Sequence, residues 1–501
     1  MTHRVIAPLL KILLAVMVGV CVAFAQPQTL AAPASSQAKA KSARNVSPRA
    51  AFVAPTVCAA CIRAHMDFLA SDALQGRGSA TPDEHVAATY VGSVLEHYGI
   101  APAGDDGTYI QRGVVLQPKL KAAPVLRSSV AGSENSWTYG GDFQVRFFPK
   151  LNFEGLLQRL DVDAIADSSK AKFDKGAIIL LLGKDREKQG DMAFAFLTGG
   201  AGAVMTVADG SPAAWEKNAK EWPKPPKQIE GSSAGPAGDD FGDFIVLSEA
   251  AFARMKDLPE GARFSLTSEV GETEKTYTWN AVGKIEGRDP ALRTSAVLLT
   301  AHLDHLGIGP EVNGDAIYNG ADDDASGTTA VLELARALSV GPQPRRTVIF
   351  ALFGSEEAGG LGSTWFQAHP PVPLDRISAN LEFEMLGRPD PKYPHDTLWL
   401  TGWERSNLGP VLAAHGAKLE GDKRPEQHFF MRSDNYVLAK KGVVAQTVSS
   451  YGMHKDYHQP SDDLAHIDFP HMTAAIGSMI QPVEWLVNSG FTPKWNVGGK
   501  P

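Results

Sequence analysis

The chain has 501 residues, 44% of them hydrophobic and 21% charged, with 48 Lys and Arg against 56 Asp and Glu and a formal charge of −8. That apolar content excludes a disordered or collagen-like chain, the slight acidity argues against a general nucleic-acid binder, and three cysteines cannot build a disulfide scaffold. The length predicts two or three domains rather than one core.

Met1 to Arg4 is short and basic, Leu9 to Ala25 is apolar apart from Lys11, and Ala23-Phe24-Ala25 is a small-x-small site. Residues 1–25 therefore read as an export signal cleaved before Gln26. The run is short for a membrane span, and no other segment offers the ~20 uninterrupted apolar residues a span needs. The expected mature protein is exported, periplasmic or secreted, with no stable membrane span. Residues 26–55 are rich in Ala, Pro, Ser and Gln, with four basic and no acidic residues, and read as a flexible linker.

Helices are expected at His65 to Ala70 and at Glu84 to Tyr98, the second with Val86, Tyr90, Val94 and Tyr98 at helical spacing and Gly99 as its stop. From about Val115 to Thr276 the texture changes. Ala177 to Leu182 is an apolar run, Met192 to Leu197 leads into the glycine turn Gly199 to Gly202, and Phe244 to Leu247 precedes a helix at Glu249 to Met255. This stretch reads as an inserted α/β or β-rich domain. Beyond Trp279 the alternation is regular. Strands are expected at Ala296 to Ala301, Thr347 to Phe353, Asn380 to Leu386, Thr397 to Thr401 and Val443 to Val448, and helices at Thr328 to Leu338, Asn407 to His415 and Met472 to Val487. The predicted fold class is α/β, with a mixed, largely parallel sheet flanked by helices. The expected division is a signal peptide (1–25), a linker (26–55), a catalytic body (56–115 and 277–490) and an insert (116–276).

Sites in such sheets lie beyond the carboxyl ends of strands. His302-Leu303-Asp304-His305 follows one predicted strand, and Gly354-Ser355-Glu356-Glu357 follows another. Glu382 and Glu384 ride on a third, Asn319 to Gly327 holds three successive aspartates, and Tyr457-His458-Gln459-Pro460-Ser461-Asp462 stands near the C-terminus. Each piece alone reads as ordinary surface polarity; together, at successive strand ends, they read as a metal centre. Imidazole and carboxylate donors without cysteine suit a catalytic rather than a structural zinc. A carboxylate can bridge two cations ~3.5–4 Å apart. Ser326 and Ser355 lack a Gly-x-Ser-x-Gly elbow, and Gly359-Gly360-Leu361-Gly362 lacks the strand-to-helix unit of a dinucleotide site. Cys58 and Cys61 read as a local disulfide or as two small apolar residues, with no catalytic role.

In order and spacing these stretches resemble the M28 family of zinc peptidases, of the aminopeptidase Y/S type. The resemblance extends to Phe68-Leu69-Ala70-Ser71-Asp72 with Gly76-Arg77, and to Asn280-Ala281-Val282-Gly283 with Gly287-Arg288-Asp289-Pro290. Phe173 to Ile179 and Gly199 to Val204 look like a protease-associated (PA) domain, a common insert in that family. The resemblance implies two Zn²⁺ per chain. Asp323, the middle acid of three counted back from Ser326-Gly327, would bridge them; His302 and Glu384 would complete one site, and Glu357 and His458 the other. Glu356 matches the general base, Asp304 the group that orients the His302 ring, and Tyr457 a tyrosine that helps hold the oxyanion in some relatives.

Many relatives carry Asp where this chain has Glu384, and the place before Met-Leu-Gly-Arg selects Glu384 over Glu382. His454, a rival to His458, is expected at the rim, and Asp462 is available as a partner for His458. The implied activity is removal of N-terminal residues from peptide substrates. Glutaminyl cyclase, carboxypeptidase and dipeptidase reactions share the broader fold, and a metal-free receptor-like binding protein is a further alternative that the intact residue set argues against.

Overall fold

The computed structural model describes residues 56–165, 171–208, 211–220, 222–232 and 241–501. The expected signal peptide and linker lie outside the described residues. The first helix, Ala59–Leu69, buries Ile62, His65, Met66 and Leu69, one stripe at helical spacing. It starts six residues before the expected His65, and a disulfide between Cys58 and Cys61 closes its first turn. The second helix, Pro82–His97, has Pro at its start and acidic residues in its first turn, both favoured at a helix N-terminus. Its buried face is Ala87, Ala88, Val91, Gly92 and Leu95, whereas Val86 is exposed. Small residues let this helix lie close to the chain beneath it: a Cβ on Gly92 would meet the Cβ of Tyr109 at 3.0 Å.

The main sheet has a parallel centre. Ala296–His302 lies between Thr347–Phe353 and Ile377–Phe383, parallel to both, and Ala445–Ser449 extends the parallel set beyond Ile377–Phe383. Every residue of Ala296–His302 and Thr347–Phe353 is buried, as expected for strands covered on both faces. The helices Ala59–Leu69, Pro82–His97, Gly327–Val340 and Phe469–Asn488 share one apolar core with this sheet. Phe366, Phe430 and Leu438 cover the opposite face.

Antiparallel pairs join this centre on both sides, so the sheet is mixed, as expected. Leu398–Leu400 pairs antiparallel with Ala445–Ser449, and the long strand Val270–Ile285 pairs antiparallel with both Thr347–Phe353 and Ile110–Leu120. The ribbon of Ile110–Leu120 and Val270–Ile285 runs in register from Ala281 opposite Ile110 to Thr273 opposite Pro118, and shifts by one residue before Val270 opposite Leu120. It carries the chain out of the main sheet and back, and the expected boundaries at 115/116 and 276/277 fall inside it.

Beyond the ribbon stands a second sheet. Phe153–Asp161, Ile178–Leu182, Ala203–Val207 and Asp243–Leu247 run parallel, with antiparallel strands at both sides. It has an apolar core of its own, including Trp137, Phe143, Leu157, Leu180, Met205 and Phe264, and the helix Arg186–Thr198 packs Met192 and Phe196 on its other face.

Candidate metal centre

The strand register aligns the polar groups. His302 ends its strand opposite Phe353, so Ser355, Glu356 and Glu357 emerge beside it. On the other side Thr300 pairs with Glu382, which brings Glu384 level with His302, one residue past the end of Ile377–Phe383. Glu382 stays within the strand and is engaged there, accepting from the Asn435 amide at 2.6 Å and from the Ser433 and Thr447 hydroxyls at 3.1 and 3.2 Å.

Backbone donors sort the three aspartates. Asp324 Oδ1 accepts from the amides of Gly327 and Met385 at 2.9 and 3.1 Å, and its Oδ2 accepts from the His302 amide at 3.2 Å. Asp322 Oδ1 accepts from the Gly387 amide at 2.6 Å, and its Oδ2 lies 3.2 Å from His454 Nε2. Asp323 is left facing imidazoles with both oxygens: Oδ1 is 3.1 Å from His302 Nε2, and Oδ2 is 3.2 Å from His458 Nε2 and 3.9 Å from His305 Nδ1. Each oxygen of this one carboxylate thus belongs to a different group of donors. His302, Asp323 and Glu384 bring ligand atoms within 4.8 Å of one another, and so do His305, Asp323 and Glu357. His458 Nε2 joins the second group, 3.2 Å from Glu357 Oε2.

The donor set fits two zinc-class cations that share Asp323. Buried His458 Nε2 and Glu357 Oε1 make no hydrogen bond of ordinary geometry although oppositely charged partners stand close. Against burial, which lowers it, the Asp323 and Glu357 carboxylates raise His458 to about 10, so the place calls for a positive charge that a cation would supply instead of the proton. Burial, opposed by His302 and aided by Asp323, pushes Glu384 up to about 7. Burial likewise pushes Asp434 up to about 7, and it raises Glu356 well above the ordinary range, reinforced by Asp434, Glu357 and Glu384. So many carboxylates cannot all ionise here without added positive charge.

Asp304 organises the neighbourhood. Its Oδ1 lies 3.6 Å from His302 Nδ1 and accepts from the Glu356 amide at 2.9 Å, while its Oδ2 accepts from the Glu357 amide at 3.4 Å and the Ser79 hydroxyl at 2.6 Å. Tyr457 stacks on His458, ring centres 3.8 Å apart, and lines a small cavity of about 40 Å³ with Glu384. Ser355 and His458 both hold positive φ, 53° and 56°, a backbone state that clusters at functional loops.

Two expectations change. His454 is not at the rim: it is buried and paired with Asp322. Asp462 does not serve His458. Its carboxylate accepts from the amides of Asp322 and Asp323 at 3.1 and 3.0 Å, and from Arg388 at 3.0 Å. It therefore sets the conformation of the aspartate loop. Sequence reasoning also gave no role to His305, although it stands in the same loop as His302 with a His-x-x-His spacing that could have flagged it. Nor did it find Asp434 or Glu84; Glu84 is fully buried and accepts from Ala80, Thr278, Trp279 and Ser355.

Arg77 is the hidden brace. Its buried guanidinium donates to the carbonyls of Leu69, Leu303, Asn319 and Gly320 at 2.5–3.0 Å, tying the first helix to both ligand-bearing loops. Arg77→Ala would orphan these buried acceptors, at ~1–3 kcal/mol each when unsatisfied. A loss of about 3–5 kcal/mol is expected, read from the urea unfolding midpoint; a loss under about 1 kcal/mol would refute the bracing role.

The centre opens into a cavity of about 1240 Å³ between the two sheets, lined by Glu356, Glu357 and Arg432 on one side and by Phe148, Lys175 and Trp222 on the other. Strand-end imidazoles and carboxylates gathered around one aspartate form a candidate metal centre. Residues 280–481 match the model of peptidase family M28. It is similar to leupeptin-inactivating enzyme 1 of Streptomyces exfoliatus, 31% identical over 29% of this chain and 31% of that protein. It is also similar to an aminopeptidase of Pseudomonas aeruginosa (strain UCBPP-PA14), 36% identical over 23% of this chain and 20% of that protein. The matches thus span less than a third of these relatives' own lengths. Its fold is similar to the solved aminopeptidase from Aneurinibacillus sp. strain AM-1, with a TM-score of 0.51 and 17% identity, covering 87% of this chain and 96% of that one.

Proposed function

We propose that this protein is an exported aminopeptidase that uses two zinc ions to hydrolyse the N-terminal bond of peptides. The observation that carries the reading is Asp323, whose two oxygens face separate donor groups, with Glu356 beside them at the floor of a peptide-sized cavity. The aminopeptidase names of the relative from Pseudomonas and of the fold neighbour support the substrate class. The Cys58–Cys61 disulfide suits an oxidising compartment. Among the described residues no helix is long and apolar enough to cross a membrane.

His302, Glu384 and Asp323 would hold one zinc, and Glu357, His458 and Asp323 the other. Bound there, the ions supply Lewis acidity, polarising the scissile carbonyl and acidifying the attacking water. Glu356 takes that water's proton as the water attacks and returns it to the leaving amine. Asp304 grips the Glu356 and Glu357 amides and sits beside the His302 ring, so base and ligands keep one geometry. The Tyr457 hydroxyl donates to the developing oxyanion. The second sheet, the PA-like insert of the sequence reading, walls the cavity and limits what reaches the centre.

The test is hydrolysis of aminoacyl-anilides beside the same compounds with blocked amines, with and without chelator. Free-amine substrates should turn over, blocked ones should not, and exhaustive chelation should stop turnover until zinc is restored. Equal rates on blocked substrates would end the aminopeptidase reading, and full activity after chelation would end the metal reading.

A further inference from the structure

A second group of metal-ligating side chains lies away from the cavity. His395 and Asp396 occupy the loop before Leu398–Leu400, and His471 sits in the first turn of Phe469–Asn488. Their ligand atoms fall within 4.8 Å of one another. His471 is fully buried.

Its tautomer follows from its neighbours. The Ser450 hydroxyl donates its single proton to the Arg388 carbonyl at 2.5 Å. The 2.9 Å contact between Ser450 Oγ and His471 Nε2 must then be donated by the ring. Nε2 carries the hydrogen, and Nδ1 carries a lone pair. Burial lowers the proton affinity of this ring, which keeps it neutral. Nδ1 has no hydrogen-bond partner, and it points at Asp396 Oδ1 from 3.5 Å. A lone pair on a buried ring, facing a partly exposed carboxylate oxygen, calls for a cation between them.

The surrounding groups supply the rest of a site. His395 Nδ1 donates a hydrogen bond to the same Asp396 Oδ1 at 2.7 Å, a proton that a bound cation would displace, and its Nε2 lies 3.7 Å from Asp468 Oδ2. Lys418 pairs with the other oxygen of Asp396, at 3.6 Å, and leaves Oδ1 to the cluster. Both rings would thus bind through Nδ1 with Nε2 turned to an outer partner, Ser450 for His471 and Asp468 for His395, the arrangement that orients metal-bound imidazoles. Ligand atoms on a tetrahedral zinc stand about 3.3–3.6 Å apart, which the His471–Asp396 separation matches. The exposed His395 ring can turn to the same spacing.

We propose that His395, Asp396 and His471 form a further zinc-class metal site, with its fourth position open to solvent, that clamps the loop following Glu384 to the C-terminal helix. Two imidazoles and one carboxylate favour Zn²⁺ over Mg²⁺ or Ca²⁺. The clamp bears on the catalytic body because Ser450 joins His471 to Arg388, and Arg388 holds Asp456 and Asp462.

The test uses the full-length protein, stripped by chelator, reloaded with zinc chloride alone and assayed by elemental analysis, beside crystals soaked in the same solution for anomalous diffraction at the zinc edge. The wild type should hold one zinc equivalent more than His395→Ala, whose exposed position leaves the fold intact, and His471→Gln should lose the same equivalent. An anomalous peak should stand between His395, Asp396 and His471. Equal zinc content in wild type and His395→Ala, or no peak there when the Asp323 centre is filled, would overturn the proposal. Because metal content is read rather than turnover, failure here leaves the aminopeptidase reading untouched, and failure of that reading leaves this site standing.

Discussion

Glu356→Gln is expected to lower kcat by ~10²–10⁴-fold, the usual contribution of a general acid–base group, while zinc content stays that of the wild type. The amide keeps the shape of the side chain but cannot take the proton of the attacking water. Glu356 belongs to neither group of ligand atoms around Asp323, so removing its charge leaves the metal-holding set whole. Its backbone position is fixed by the hydrogen bond that its amide donates to Asp304 at 2.9 Å, which the substitution does not touch. The two readouts separate the roles: a base loses turnover alone, whereas a ligand loses metal as well. Wild-type turnover in this variant would remove Glu356 from the mechanism, and parallel loss of zinc would make it a ligand.

The centre of the fold was legible because its strands are buried on both faces. Ala296–His302 and Thr347–Phe353 read as mainly apolar runs that stop abruptly at His302 and before Glu356, and that stop locates the site. The edges of the sheet were less legible. Ile110–Leu120 and Val270–Ile285 mix buried and exposed positions, and their pairing spans the whole insert, so no local pattern announces the antiparallel ribbon. The second helix misled by one position of phase: Tyr90, Val94 and Tyr98 pack at the margin of the core while the alanines and Gly92 take the close contact.

The site shows the same division. His302, Asp323, Glu357, Glu384 and His458 stand in short motifs that the family resemblance could match residue by residue. Arg77, Glu84 and Asp434 act through partners distant in sequence, such as Leu303 for Arg77 and Thr278 for Glu84. A buried ion whose partners are carbonyls and hydroxyls leaves no compositional mark. His454 and Asp462 were placed by neighbours in sequence, yet their partners are Asp322 and Asp323, some 130–140 residues away. Only the folded aspartate loop reveals that it needs two such supports.

His458→Ala is expected to lose one of two zincs and nearly all turnover, whereas His305→Ala should keep both metals. Both imidazoles stand over Glu357, so motif and proximity do not choose between them; the distances do. His458 Nε2 lies 3.2 Å from Glu357 Oε2 and 3.2 Å from Asp323 Oδ2. Those two equal distances approach the edges of a tetrahedral zinc site, about 3.3–3.6 Å. His305 Nδ1 lies 2.8 Å from Glu357 Oε1 but 3.9 Å from Asp323 Oδ2. It is close against one carboxylate and remote from the shared one, which is the place of a partner that orients Glu357. Loss of such a partner weakens metal binding by ~10–100-fold without deleting a ligand, so saturating zinc should restore two equivalents to His305→Ala and not to His458→Ala. The His458 side chain is 35% exposed, so its truncation leaves no sealed cavity to confuse metal loss with unfolding. His454→Ala serves as the third arm. It strips Asp322 of its imidazole but touches neither group of ligands, so it should hold two zincs and unfold at lower denaturant. One zinc in His305→Ala beside two in His458→Ala, both at saturation, would reverse the assignment and make His305 the ligand.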